Sequence, residues 1–316
     1  MFKNQIPLFN KMKRGGTIMF LVMLSFLLIV PLASANIFTD FWGKITGYDT
    51  QGTTSVNITV GNAAPTVPFV YGNASYFPTE DTTTSITFNF TADDDDGAGN
   101  LNDSTAAAYF QRTGETTRSN TSCVQIGAAV SNSKNYTCTI DMWYFDEAAT
   151  WTINATIQDI NDAVGENSTT TFTYQLLTAM VLNPGALTWP SISLTTTDEG
   201  SNNDPVRLNN TGNDENLTIN STAFNLRGET EITEFIFANN FTIGNATEGC
   251  TGFVTTQSNA TSLAVNGTEL DRGNHSVNDG TTGQEDLFFC LKGVPDISAQ
   301  SYSSSAYGSW TVDIIT

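Results

Sequence analysis

The sequence predicts an all-β protein: two tandem β-sandwiches preceded by a cleavable leader and one extended strand. Three observations carry that expectation. Short stretches alternate apolar and polar residues with a period of two. The loops between them are rich in Gly, Asn, Asp and Ser, and no helical periodicity separates them. Four cysteines and a high density of glycosylation sequons place the chain in an oxidising exterior.

The leader comes first. Lys3, Lys11, Lys13 and Arg14 precede an apolar run over residues 18–30, followed by Pro31 and Ala33-Ser34-Ala35. A charged start, a short apolar centre and a small-x-small site are the three parts of a secretory signal, so residues 1–35 are expected to be removed after Ala35. The run is short for a bilayer, which needs about 20 apolar residues. A retained anchor and a pilin-type cut near Gly15-Gly16 are the competing readings. Without those residues the chain has 8 basic and 32 acidic side chains, a formal charge of −24. Such a surface excludes nucleic acid, which is bound through clustered Lys and Arg, and favours divalent cations. No later apolar run is long enough to span a membrane.

Asn followed two residues later by Ser or Thr occurs sixteen times, at Asn57, Asn73, Asn89, Asn102, Asn120, Asn135, Asn154, Asn167, Asn209, Asn216, Asn220, Asn240, Asn245, Asn259, Asn266 and Asn274. None of these sites has an intervening Pro. The 29 Asn and 70 Ser or Thr after residue 35 would give about 7 by chance, so the excess reads as a dense N-glycan coat.

Cys123, Cys138, Cys250 and Cys290 allow three pairings. Local bridges, Cys123 with Cys138 and Cys250 with Cys290, keep each within one expected domain. A zinc site fails for want of a C-x-x-C pair or a second histidine beside His275.

Residues 36–65 form an N-terminal strand and linker. Phe38, Phe41 and Trp42 precede a stretch in which Val56, Ile58 and Val60 alternate with polar residues. An isolated strand of this kind needs an acceptor edge. Strand addition to a neighbouring subunit would supply one, and repeated head to tail it gives a filament. The bland alternatives are a first strand of the chain's own sandwich, or a loose segment.

Residues 66–180 read as the first sandwich, with strict alternation over 85–91, 151–157 and 171–174. The 123–138 segment reads as a hairpin or a strand connection closed by its bridge. Residues 181–316 read as the second sandwich, with a strand running into a turn over 205–213 and strands over 216–220, 230–237, 287–290 and 310–315.

Within the second sandwich Asn210-Thr211-Gly212-Asn213, a turn leading into an alternating strand, resembles the Ig-like β-sandwich modules of secreted surface proteins of archaea. The opening Phe41-Trp42-Gly43-Lys44-Ile45-Thr46-Gly47 and the close Ser309-Trp310-Thr311-Val312 are similar to such proteins too. The resemblance implies Ig-like sandwiches in an S-layer or pilus-like filament subunit, with a structural or adhesive role, and it transfers no active site.

Two acidic loops are candidate calcium sites. One holds Asp93, Asp95, Asp96, Asn100 and Asp103, the other Asp159 and Asp162, and each follows a strand that sandwich geometry would bring to one end. Neither matches the EF-hand spacing, and a solvated turn is the alternative. No other cofactor is expected.

Catalysis has little to stand on. His275 reads as a loop residue, Ser131 and Lys134 match S-x-x-K without its partner motifs, and no pair among the 32 carboxylates can be singled out as a glycosidase site. Trp42, Trp143 and Tyr144 could stack on sugars; core packing is the favoured reading of Trp143 and Tyr144. The expected function is a secreted, glycosylated structural protein that polymerises with itself; the alternative is a monomeric adhesin recognising carbohydrate or protein.

Overall fold

The structure is a computed structural model that describes residues 55–72, 74–246, 250–252 and 254–315. The leader, the Phe38, Phe41 and Trp42 positions and the Asn73 sequon lie outside the described residues. The chain divides into residues 1–61 and a compact unit of residues 62–316. Of the first, residues 55–61 are described; they form no strand, and Val56, Ile58 and Val60 are 76, 78 and 84% exposed.

The protein is all-β, with no α-helix among the described residues. The first half of the compact unit supplies β1 (Thr66–Tyr71), β2 (Ser75–Tyr76), β3 (Thr83–Asp93), β4 (Leu101–Gln111), β5 (Arg118–Asn120), β6 (Val124–Val130), β7 (Ser133–Trp143), β8 (Ala149–Asp159) and β9 (Val164–Tyr174). One sheet has the order β1-β3-β7-β6 and the other β2-β9-β8-β4-β5. Alternation decides which face each residue takes. On β3, Ile86, Phe88, Phe90 and Ala92 are buried while Ser85, Thr87 and Asn89 are exposed. On β8, Trp151, Ile153, Ala155 and Ile157 point inward to meet them, with Phe110, Tyr136, Ile140 and Phe172 from the neighbouring strands. The Phe88–Phe110 ring pair (5.6 Å) joins the two layers, while Phe90–Tyr136 (5.1 Å, stacked) and Phe110–Phe172 (4.5 Å, tilted) each pack within one sheet.

After residue 175 the strands pair among themselves. Met180–Asn183, Val206–Asn210, Gln284–Leu291, Phe241–Gly244 and Val254–Thr256 form one sheet in that order, with Glu199–Gly200 also on Gln284–Leu291. Thr261–Ala264, Thr218–Ala223 and Thr311–Ile315 form a facing sheet. Leu208, Ile219, Ile243, Leu287 and Phe289 pack between them. Trp189 and Trp310 join this core to a smaller cluster of Ile236, Phe241 and Leu291. The indole N–H groups stay satisfied, Trp189 on the Glu199 carbonyl and Trp310 on the Phe224 carbonyl.

Both local disulfides are present, Cys123–Cys138 and Cys250–Cys290. The first ties the start of β6 to β7, which with the turn at Ser131 makes a hairpin.

Three expectations need correction. Residues 230–237 are strand only at Phe235–Ile236, because the Glu234 carboxylate just before is held by Ser298, Gln300 and Tyr302 and the chain before it turns. The strand expected over 216–220 begins at Thr218 and runs on to Ala223, since Asn216 takes a left-handed turn conformation. The expected linker ends on a packed residue: Pro65 is buried, and its carbonyl oxygen lies 2.4 Å from where a Cβ on Gly165 would sit, so only glycine fits there.

Candidate functional site

The acidic loops do meet at one end of the first sandwich, joined by the Ile160 N–H donating to the Asn100 carbonyl over 2.8 Å. Some of their oxygens are committed to the chain's own donors. Asp159 is fully buried and accepts from the Asn62 side chain (2.6 Å) and from the Asn161 and Ala163 N–H groups (2.8 Å each). The Asn62 hydrogen bond, foremost, holds its carboxyl below the usual carboxylate range. Asp96 accepts from the Ala63 N–H (2.8 Å), so Asn62 and Ala63 clamp both loops.

Asp103 stands apart. Lys134 Nζ (2.7 Å) and the Tyr136 hydroxyl (2.6 Å) both donate to its Oδ1. Burial would raise the Asp103 carboxyl, but those two hydrogen bonds outweigh it and hold the group low. Asp162 takes the left-handed turn position of its loop, and Asp95 is exposed. Among the buried oxygens of these loops, Asp93 Oδ1 and Asp94 Oδ2 have no hydrogen-bond partner. Asp94 was not among the candidates, although it is the most buried carboxylate of its loop. Among the described residues, one cluster of three potential ligands lies within 4.8 Å, Asp198 with Cys250 and Cys290, and its sulfurs are bonded to each other.

The described sequon asparagines are exposed or half-buried. Fifteen of the sixteen asparagines are described and none is buried, whereas two asparagines outside sequons, Asn210 and Asn213, are 0 and 2% exposed. At Asn102, Asn120, Asn167 and Asn274 the side-chain oxygen accepts from the backbone N–H of the sequon's own Ser or Thr, closing an Asx turn. Two further sequons pair reciprocally across β3 and β7. Asn89 sits opposite Thr137 and Thr91 opposite Asn135, with Thr91 Oγ1 donating to Asn135 Oδ1 over 2.7 Å.

The two edges of this sheet differ. On β1 the Val67 and Val70 carbonyls are taken by the Asn167 and Thr170 side chains of β9, which blunts that edge. Among the described residues, no side chain of another strand covers the β6 edge in this way. It is uncharged, and Val124, Ile126 and Val130 are 62, 38 and 70% exposed, interrupted by a bulge at Gly127. The opposite sheet ends in strands of two and three residues, too short to serve as an acceptor.

The Asn210–Asn213 turn, legible only as a turn, is the buried junction of the two halves. Gly212 is obligatory, since a Cβ would fall 2.0 Å from the Leu177 carbonyl oxygen. Asn213 donates to the carbonyls of Asp146 and Gln175 (3.0 Å each) and accepts from the Leu177 N–H (2.7 Å). Arg272 adds Glu115 (2.6 Å) and the Phe145 carbonyl.

His275, expected as a loop residue, belongs to the same junction. It opens a 3-10 turn, its Nε2 lies 2.6 Å from Asp81 Oδ1, and its ring stands 5.6 Å from Tyr144. Tyr144 is buried as expected, but Trp143 is 40% exposed and stacks on Phe145. Ser131 and Lys134 lie at the β6–β7 turn, not on a helix, and Lys134 is the partner of Asp103. In the second half Phe235 stacks near Phe237 (6.0 Å) and Tyr307 (6.1 Å), an exposed aromatic patch with no counterpart in the sequence reading.

No family model matches the chain, and no curated protein does. Among solved structures, the secreted serine protease VesC from Vibrio cholerae is similar at 10% identity with a TM-score of 0.20, over 75% of this chain and 49% of that one. The chain thus spans about half of that protein, and a superposition this loose carries no argument about fold or activity.

Proposed function

We propose that the protein is a secreted, N-glycosylated cell-surface subunit, built from two Ig-like sandwiches, that polymerises by strand addition. The observation that carries this reading is a pair of unpartnered complements. Val56, Ile58 and Val60 alternate along an exposed, unpaired segment, and β6 offers an exposed, uncharged, apolar edge. An added strand would satisfy the free backbone groups of β6 and set its own apolar residues beside Val124 and Ile126. Because donor and acceptor are different surfaces of one chain, the contact is heterologous and propagates. The tight junction at Asn213 and Arg272 suits a subunit that transmits load, and the two disulfides and accessible sequons suit an exterior surface. The archaeal filament resemblance agrees with this reading. Deleting residues 36–61 from the mature chain is expected to leave a folded, soluble monomer; assembly unchanged by that deletion would overturn the proposal.

The exposed Phe235, Phe237 and Tyr307 patch favours a second reading, an adhesin that stacks sugars on aromatic rings. Glycan-array binding by a non-assembling monomer, lost in Phe237→Ala, would support it instead.

A further inference from the structure

Register carries the glycan reading further than sequons alone. Across the outer face of the β1-β3-β7-β6 sheet, one row runs Tyr71, Asn89, Thr137, Val124 and the next runs Phe69, Thr91, Asn135, Ile126. Directly opposed residues on one face have Cβ atoms about 4.5–5.5 Å apart. Asn89 therefore stands immediately beside Tyr71.

Tyr71 and Phe69 are each 58% exposed, and their rings stack on each other with centroids 6.2 Å apart and planes 26° from parallel. Two aromatic rings side by side in water on an edge strand form an uncovered apolar shelf. The Asn89 side chain is exposed and makes no hydrogen bond among the described residues, whereas the amide groups of Asn120, Asn167 and Asn240 are tied to backbone carbonyls. Its nitrogen is free to carry a sugar, and the shelf lies where that sugar would stand. Asn135, at the diagonal position, has aliphatic Ile126 as its flank.

We propose that the glycan on Asn89 folds back onto the Phe69–Tyr71 shelf, so that its first sugars are an ordered part of this face, while the Asn135 glycan projects freely. The proposal rests on the glycosylated reading above. Sugar rings present a face of C–H groups that packs on an aromatic face, and this packing removes both from water.

The test is a double-mutant cycle on the full mature protein purified from its native producer, using Asn89→Gln and Tyr71→Ala, with glycopeptide mass spectrometry at Asn89. Both positions are exposed, so the variants are expected to fold. In glycosylated protein each single change is expected to lower Tm by about 2–4 °C, with the double variant no lower than the worse single. Tyr71→Phe should behave as wild type. In the same set made without glycosylation, Tyr71→Ala and wild type should melt together. An occupied Asn89 with additive effects would overturn the shelf while leaving glycosylation standing. An unoccupied Asn89 would overturn the glycan reading at this site and the shelf with it.

Discussion

The Asn213 side-chain amide donates to the Asp146 carbonyl oxygen over 3.0 Å, carrying a buried turn of the second half into a loop of the first. The same amide nitrogen reaches Gln175, and its oxygen takes the Leu177 N–H, so one side chain closes the gap where the chain passes from the first half to the second. Asn213→Ala would leave those groups buried and unpaired, at a cost of roughly 1–3 kcal/mol. Urea denaturation of the mature protein checks it. A cost below a few tenths would mean that Arg272 and His275 hold the junction without Asn213.

The two bridges should differ in worth. Cys123–Cys138 spans 15 residues and Cys250–Cys290 spans 40, so loop-closure entropy assigns them about 3 and about 4 kcal/mol. Replacing each pair by alanine and measuring the denaturation midpoint separates them. The first change should lower the stability of the β6–β7 hairpin, read as faster amide exchange of β6, with the strands after residue 175 unaffected.

Stability should fall as pH rises from about 4.5 to 7. Burial pushes the Glu285 carboxyl up to about 7 and that of Asp204 up to about 6. In the unfolded chain both ionise near 4, so above that pH the unfolded state holds fewer protons than the folded one and is favoured. Their contribution is whole below the unfolded pKa and gone above the folded one. Glu285→Gln should flatten the slope of Tm against pH in that window; an unchanged slope would assign it to other groups.

Calcium would have to compete with donors already held at the acidic end. Asp159 holds three N–H donors and Asp103 holds Lys134 and Tyr136, so millimolar calcium is expected to leave Tm unchanged. A rise abolished by Asp94→Asn would show instead that the unpartnered oxygens of Asp93 and Asp94 recruit the ion.

What could be read from the sequence follows what is local. Alternation at residues 85–91 and 151–157 gave β3 and β8 with the correct buried face, because the side-chain period depends on backbone geometry alone. The disulfide pairing followed from proximity in sequence. The junction did not: Asn210 and Asn213 look like turn residues, and only the approach of Leu177, 36 residues away in the chain, makes them buried. The pairing of Tyr71 with Asn89 was equally hidden, since strand register is a non-local choice. Glu234 shows the reverse failure, a β-like stretch overruled by a carboxylate that three distant partners hold in a turn.

The central claim is that one copy's residues 56–60 complete the next copy's sheet at β6. Electron cryomicroscopy of native material from the producing cell surface tests it most directly. The expected result is a fibre or lattice of this subunit with a foreign extended strand hydrogen-bonded along Val124–Ile126. Dispersed monomers, or an assembly in which β6 faces solvent, would contradict it.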